Sequence, residues 1–227
     1  MATNLDLEEQ EQLEQLKHFW RQYGSLITWS LALVLAAVAA WFGWQRYQHE
    51  QAVQAGSMFD EIERMVQASD PERAGSLFAE IRERYPRTVY TAQAGLMTAK
   101  VQLDKGKNEA ALASLQWVAE NAGELEYRAV ARLRWAGMLM DDKKYDEALK
   151  VLGGDWPKSF EPLAADRRGD ILSAQGKKAD ATAAYRSAYQ AMDAQLDYRR
   201  LVDAKLIALG AADSASAASA TAAGASR

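Results

Sequence analysis

No cysteine occurs among the 227 residues. That excludes a disulfide scaffold, a thiol nucleophile and a thiolate metal site. Histidine is almost as scarce. His18 and His49 are the two present, and they flank an uncharged run on opposite sides, which leaves no histidine-based metal cluster. Sustained alternation of β-branched residues is missing as well. Valine and isoleucine are sparse while alanine and leucine dominate, so the fold is expected to be all-α. A surplus of basic charge is also lacking. Residues 45–209 carry 24 Lys and Arg against 25 Asp and Glu, once Lys17, Arg21 and Arg227 and the acids at 6, 8, 9, 11, 14 and 213 are set aside. A near-neutral soluble part argues against nucleic acid as a partner.

Catalytic signatures are absent too. There is no Ser-x-x-Lys pair, no Gly-x-Ser-x-Gly elbow and no phosphate-binding Gly-x-x-x-x-Gly-Lys loop. Gly153-Gly154 reads as a break between helical units. Asp141-Asp142 reads as a solvated cap rather than an acid–base pair. The sequence therefore implies a protein that binds rather than one that turns over substrate, with no catalytic residue, no metal and no cofactor.

What is present begins with charge-free chain from Ser25 to Trp44. Twenty residues at about 1.5 Å each span roughly 30 Å, the thickness of a bilayer hydrocarbon core. Phe19, Trp20, Tyr23 and Trp29 crowd one end, and Trp41, Phe42, Trp44 and Tyr47 the other. Rings of this kind favour the headgroup region. Ala37-Val38-Ala39 has the small-x-small form of a signal-peptidase site. However, some twenty mostly polar residues precede the run, and it continues past Ala39 into an aromatic belt. An uncleaved signal anchor over 25–44 is the expectation. Lys17 and Arg21 outnumber Arg46 near the membrane, which places segment 1–24 in the cytoplasm and the bulk of the chain outside.

Beyond the membrane, 45–87 reads as a stem helix followed by a degenerate first helix pair. Asp70-Pro71-Glu72 has the form of a helix start. Three turns then align: Asp104 to Ala111, Asp141 to Ala148 and Ala174 to Ala181. Ala99, Ala136 and Gly169 lie seven residues before Gly106, Lys143 and Gly176, in the first helix of each pair. Ala111, Ala148 and Ala181 open the second helices. Small side chains at these places let paired helices approach closely, and Gly106 and Gly176 sit where a helix ends. The pattern resembles the tetratricopeptide repeat over about 88–191, closest at Lys143 to Leu149, although lysine replaces the usual glycine. Repeats over 88–209 would close with a capping helix built on Leu201, Ala204, Lys205, Ala208 and Leu209. From 210 to 227 the Ala/Ser-rich composition reads as a disordered tail.

Stacked helix pairs present a concave surface lined by their first helices. Its candidates for partner contact are Leu96, Lys100 and Leu103, then Leu133, Gly137 and Met140, then Asp166, Asp170 and Ser173. This surface is expected to be apolar at one end and acidic at the other, suited to an extended or helical polypeptide.

The whole layout resembles the YfgM-like ancillary subunit of the bacterial Sec translocon. The residues that carry the resemblance are Leu16-Lys-His-Phe-Trp20, Gly43-Trp-Gln-Arg-Tyr47, Ala165-Asp-Arg-Arg-Gly-Asp170 and Ala174-Gln-Gly-Lys177. It covers about 10–209 and implies a periplasmic repeat domain on an inner-membrane anchor, in contact with membrane lipid. It also implies association with the translocon channel, with a membrane-bound periplasmic folding factor of the PpiD type, and with newly exported client polypeptides. Read without it, the same features suit a membrane-anchored adaptor for another envelope process, such as division or outer-membrane assembly.

Overall fold

The computed structural model describes residues 7–211. Segment 1–6 and the Ala/Ser tail beyond Ala211 lie outside it, and with them most of the segment expected to be disordered. The described residues form nine helices and no strand, as the composition implies. They divide into two compact units, one ending at Gln51 and the other beginning at Ala52.

The first unit is the greater part of α1, Leu7–Gln67. This helix is long and apolar enough to cross a membrane, and its most apolar stretch is wholly exposed. A soluble helix with Trp29, Leu33, Trp41 and Phe42 all facing out would be a severe liability in water. The same helix is well matched to lipid, because its backbone groups are bonded internally.

The second unit opens with residues 52–67 of α1. It continues with α2 (Pro71–Arg84), α3 (Val89–Asp104), α4 (Asn108–Asn121) and α5 (Leu125–Asp141). Beyond these come α6 (Tyr145–Val151), α7 (Glu161–Ala174), α8 (Lys178–Ala191) and α9 (Asp197–Ala208). The start of α2 follows its sequence. Asp70 accepts from the Arg73 amide at 3.0 Å, and Pro71 takes the first helical position, where an amide hydrogen would have no partner.

One turn geometry recurs through this unit. After α1, α3, α5, α7 and α9 a single residue has positive φ: Ser69 (58°), Gly106 (71°), Lys143 (61°), Gly176 (76°) and Gly210 (77°). Each of these amides donates to the carbonyl three residues back, as in Gly106 to Leu103 at 2.9 Å and Lys143 to Met140 at 2.9 Å. The next amide donates five residues back, as in Lys107 to Gln102 and Lys144 to Leu139, both at 2.8 Å. This is the Schellman arrangement, which satisfies helix-end carbonyls at the cost of one left-handed residue. Lysine holds that conformation at 143 and serine at 69, so the glycine-poor first pair is a full member of the series.

The turn fixes how the two helices of a pair meet. Seven residues before it stand Ile62, Ala99, Ala136 and Gly169. Five after it stand Ala74, Ala111, Ala148 and Ala181, each with no exposed surface. Nine after it stand Phe78, Leu115, Leu152 and Tyr185, all buried. The sizes are matched. Leu152 shares a core cluster with Ala136, whereas the larger Tyr185 ring faces Gly169, where an added Cβ would come within 2.5 Å of it.

The third pair, α5 with α6, is irregular. Helix α6 stops at Val151, before Gly153 and Gly154. Arg132 of α5 then donates to the carbonyls of Val151, Gly153 and Asp155 while its guanidinium stacks 4.0 Å from the Trp156 ring centroid. A cation at a helix C-terminus satisfies carbonyls that lack an intrahelical partner. Trp117 packs edge-on against Phe78 at 5.5 Å, on the rim of the largest core cluster.

If the turns set the fold, glycine substitutions should have opposite signs at equivalent sites. Gly176→Ala is expected to lower stability by about 1 kcal/mol, and Lys143→Gly to leave it unchanged or raise it by less than that. Gly169→Ala should cost about 1–3 kcal/mol through overpacking, with part of the loss recovered by adding Tyr185→Leu. Thermal melts of the full chain in detergent check all three.

Candidate partner-binding groove

The first helices of successive pairs lie side by side, and the shared turn gives their inner faces a common register. Counting back ten, six and three residues from each turn selects Leu96, Lys100 and Leu103 on α3, Leu133, Gly137 and Met140 on α5, and Asp166, Asp170 and Ser173 on α7. The structure brings five of these together. Lys100, Leu103, Leu133, Gly137 and Met140 line one groove of about 400 Å³. Leu103 is 45% exposed, and Gly137 leaves the groove floor without a side chain.

Leu96 departs from the expected open position. It is only 8% exposed and belongs to the core cluster with Phe78, Leu115 and Val118. The neighbouring pair closes over it, with Arg134 of α5 donating to the Leu96 carbonyl at 3.3 Å.

The acidic end expected of the concave surface is not open either. Asp166 is 2% exposed. Lys205 of α9 reaches both its carboxylate oxygens, at 2.8 and 2.9 Å, and contacts Asp170 at 2.7 Å. The Tyr198 hydroxyl donates to Asp166 at 2.7 Å and the Tyr185 hydroxyl to Asp170 at 2.8 Å. A buried carboxylate stripped of water is tolerated only when its lone pairs are taken up in this way. Thus α9 supplies a counter-charge as well as a cap, Asp166 is held inside the fold, and Asp170 is half-buried with its carboxylate engaged. Burial raises the pKa of both tyrosines well above the usual phenol range, and their bonds to Asp170 and Asp166 add to the shift.

Three cations surround what remains open. Lys100 pairs with Asp104 at 2.7 Å on an exposed helix face. Arg134 and Arg167 also line the groove, whose single acidic lining residue is Asp141. Arg167 lies 3.9 Å from where a Cβ would stand on Gly137, and its nearest carboxylate, Asp170, is 3.8 Å away. Among the described residues no group of three or more His, Asp or Glu is placed to hold a metal ion.

These features can be set beside known proteins. A tetratricopeptide repeat-like domain matches residues 17–211. Over 207 residues the chain is 30% identical to the ancillary SecYEG translocon subunit of Neisseria gonorrhoeae, covering 89% of this chain and 98% of that relative. The chain belongs to the family of ancillary SecYEG translocon subunits. The subunit of Escherichia coli is 28% identical over 177 residues, covering 78% of this chain and 85% of that relative. The Haemophilus influenzae subunit is 27% identical over 184 residues, covering 81% and 90%. No enzyme family is indicated by these matches.

In this family member the sequence places Lys205 on a capping helix and Arg167 in a motif without indicating their contacts, and Arg134 and Tyr198 carry no signal of their own. A shared face for Tyr198 and Lys205 was legible in principle. Leu209-Gly210 repeats the helix ending of the earlier pairs, so Tyr198 and Lys205, seven apart, belong to one face of a further first helix. The Tyr185–Asp170 and Tyr198–Asp166 contacts have a pH signature. Unfolded tyrosines ionise near pH 10, whereas the folded pair stays neutral beyond it. Their stabilisation is therefore complete below about pH 10 and is lost as pH rises further. Tyr185→Phe should be less stable than the parent at neutral pH and lose less between about pH 9 and 11, measured by melting temperature against pH.

Proposed function

We propose that this protein is a non-enzymatic ancillary subunit of a bacterial Sec translocon. In this reading it is anchored in the inner membrane by α1, with segment 1–24 in the cytoplasm and the repeat domain in the periplasm. The names of the relatives support the partner, and the one exposed apolar helix among the described residues supports the anchor. Lys17 and Arg21 support the orientation through the positive-inside rule.

The repeat domain acts by holding a polypeptide in the groove between α3 and α5. The observation that carries this is the convergence of Leu103, Leu133 and Met140 on one groove in which Gly137 contributes no side chain. A concave surface with exposed apolar side chains and no catalytic group is a binding surface. A membrane-bound periplasmic folding factor of the PpiD type is the proposed occupant. Bringing such a factor to the channel exit would place it where newly exported chains emerge unfolded.

Gly137→Leu tests this directly. A Cβ at 137 meets only the Arg167 guanidinium, at 3.9 Å, so the helix accepts the change and its stability should hold or rise by up to about 1 kcal/mol. The leucine would fill the groove. Recovery of the folding factor with the full-length protein from solubilised membranes is expected to fall about tenfold, the effect of losing a contact at an interface centre. Undiminished recovery with an unchanged melt would remove the groove from the account. Protease added to spheroplasts should digest the repeat domain, and its protection would invert the orientation.

A further inference from the structure

The groove has a charge preference that its apolar floor does not disclose. Lys100, Arg134 and Arg167 line it beside Asp141, and Lys100 is already paired with Asp104 at 2.7 Å, which leaves the two arginines as its least engaged cations. What sets this balance is α9. Asp170 stands three residues after Arg167 on the same helix and is its natural partner. Its carboxylate is already taken by Lys205 at 2.7 Å and by the Tyr185 hydroxyl at 2.8 Å. Arg167 is left with a long 3.8 Å contact, and its side chain is 35% exposed. Arg134 gives one bond to the Leu96 carbonyl, which carries no net charge to neutralise it. A guanidinium presents five donors in a planar fork, so both arginines retain donors for a carboxylate. The floor beneath them includes Met138 and Met140 beside Leu103 and Leu133. Methionine is unbranched and polarisable and adapts to apolar side chains of different shape.

We infer that the groove selects polypeptide segments in which apolar side chains alternate with acidic ones, the carboxylates reaching Arg167 and Arg134 while the apolar groups meet Leu103, Leu133 and the two methionines. This rests on the groove being the peptide site and adds the chemistry of its ligand. The selectivity is indirectly a product of α9. By satisfying Asp166 and Asp170 from within, Lys205 removes the carboxylates that would otherwise repel such a segment. A basic segment would face the two guanidiniums of Arg134 and Arg167 and find Asp141 as the one acidic residue of the groove lining.

The test uses the full chain in detergent micelles and two labelled synthetic peptides with identical leucines, one carrying glutamates and the other lysines. Affinity is read by fluorescence anisotropy at low and at high salt. The glutamate peptide is expected to bind on the order of tenfold more tightly at low salt, as two partly exposed pairs allow. The advantage should shrink as added salt shortens the screening length. Arg167→Gln should cut the preference several-fold, and combining it with Arg134→Gln should abolish it while leucine-dependent binding persists. Equal affinities, a tighter lysine peptide, or an acidic preference that survives both substitutions would overturn the inference and leave the groove as a peptide site. Failure of both peptides to bind, or binding untouched by Gly137→Leu, would instead overturn the groove reading and this inference with it.

Discussion

The left-handed residue that closes each helix pair is the constraint on which the rest of the second unit depends. It terminates the first helix, bonds its last carbonyls and launches the second helix at a fixed phase. That phase decides which residues meet. After the first four turns the alanine five positions later has no exposed surface, and the large residue nine positions later is buried. Tyr185 opposite Gly169 and Leu152 in one cluster with Ala136 show the pairing adjusting its sizes while keeping its register. Two of the five turns achieve the geometry without glycine, at Ser69 and Lys143. The strain there is small beside the burial that the turn secures.

The same register sets up function. Because the turns after α3, α5 and α7 are alike, the positions ten, six and three residues before each share one register along the inner surface. That surface is divided in its use. Around α7 it is closed by α9, whose Lys205 and Tyr198 satisfy Asp166. Around α3 and α5 it is open, apolar and rimmed by cations. The closed part makes the open part selective, since the carboxylate nearest to Arg167 is already engaged by Lys205 and Tyr185. Capping and ligand chemistry are thereby linked through one lysine on the last described helix.

Much of this was legible in the sequence because it depends on local spacing. The charge-free run, the aromatic belts, the three aligned turns and the small residues around them are all short-range patterns. Their helices, the helix start at Asp70 and the membrane-length helix follow from them. Open groove positions were legible to the extent that periodicity gives a helix face, as for Leu103, Leu133 and Met140. Periodicity does not say what covers that face. Leu96 shares a register position with Leu133 yet is buried, because the adjoining helix closes over it. Asp166 and Asp170 looked like an open acidic end because their partner, Lys205, lies 39 residues from one and 35 from the other. Contacts of that separation leave no local trace. The first helix pair was read as degenerate for a different reason. Serine in a left-handed turn has no spacing signature of its own, and only the buried Ile62, Ala74 and Phe78 reveal the shared register.

The central claim is that the open inner face between α3 and α5 is where a partner polypeptide sits. Site-specific photocrosslinking in intact cells tests it most directly, with the photoreactive residue placed in turn at Leu103, at Met140 and at Ala113 on the exposed side of α4. Adducts from Leu103 and Met140, none from Ala113, and loss of the Met140 adduct on adding Gly137→Leu are the results this account predicts. Adducts from Ala113 with none from the groove positions would contradict it.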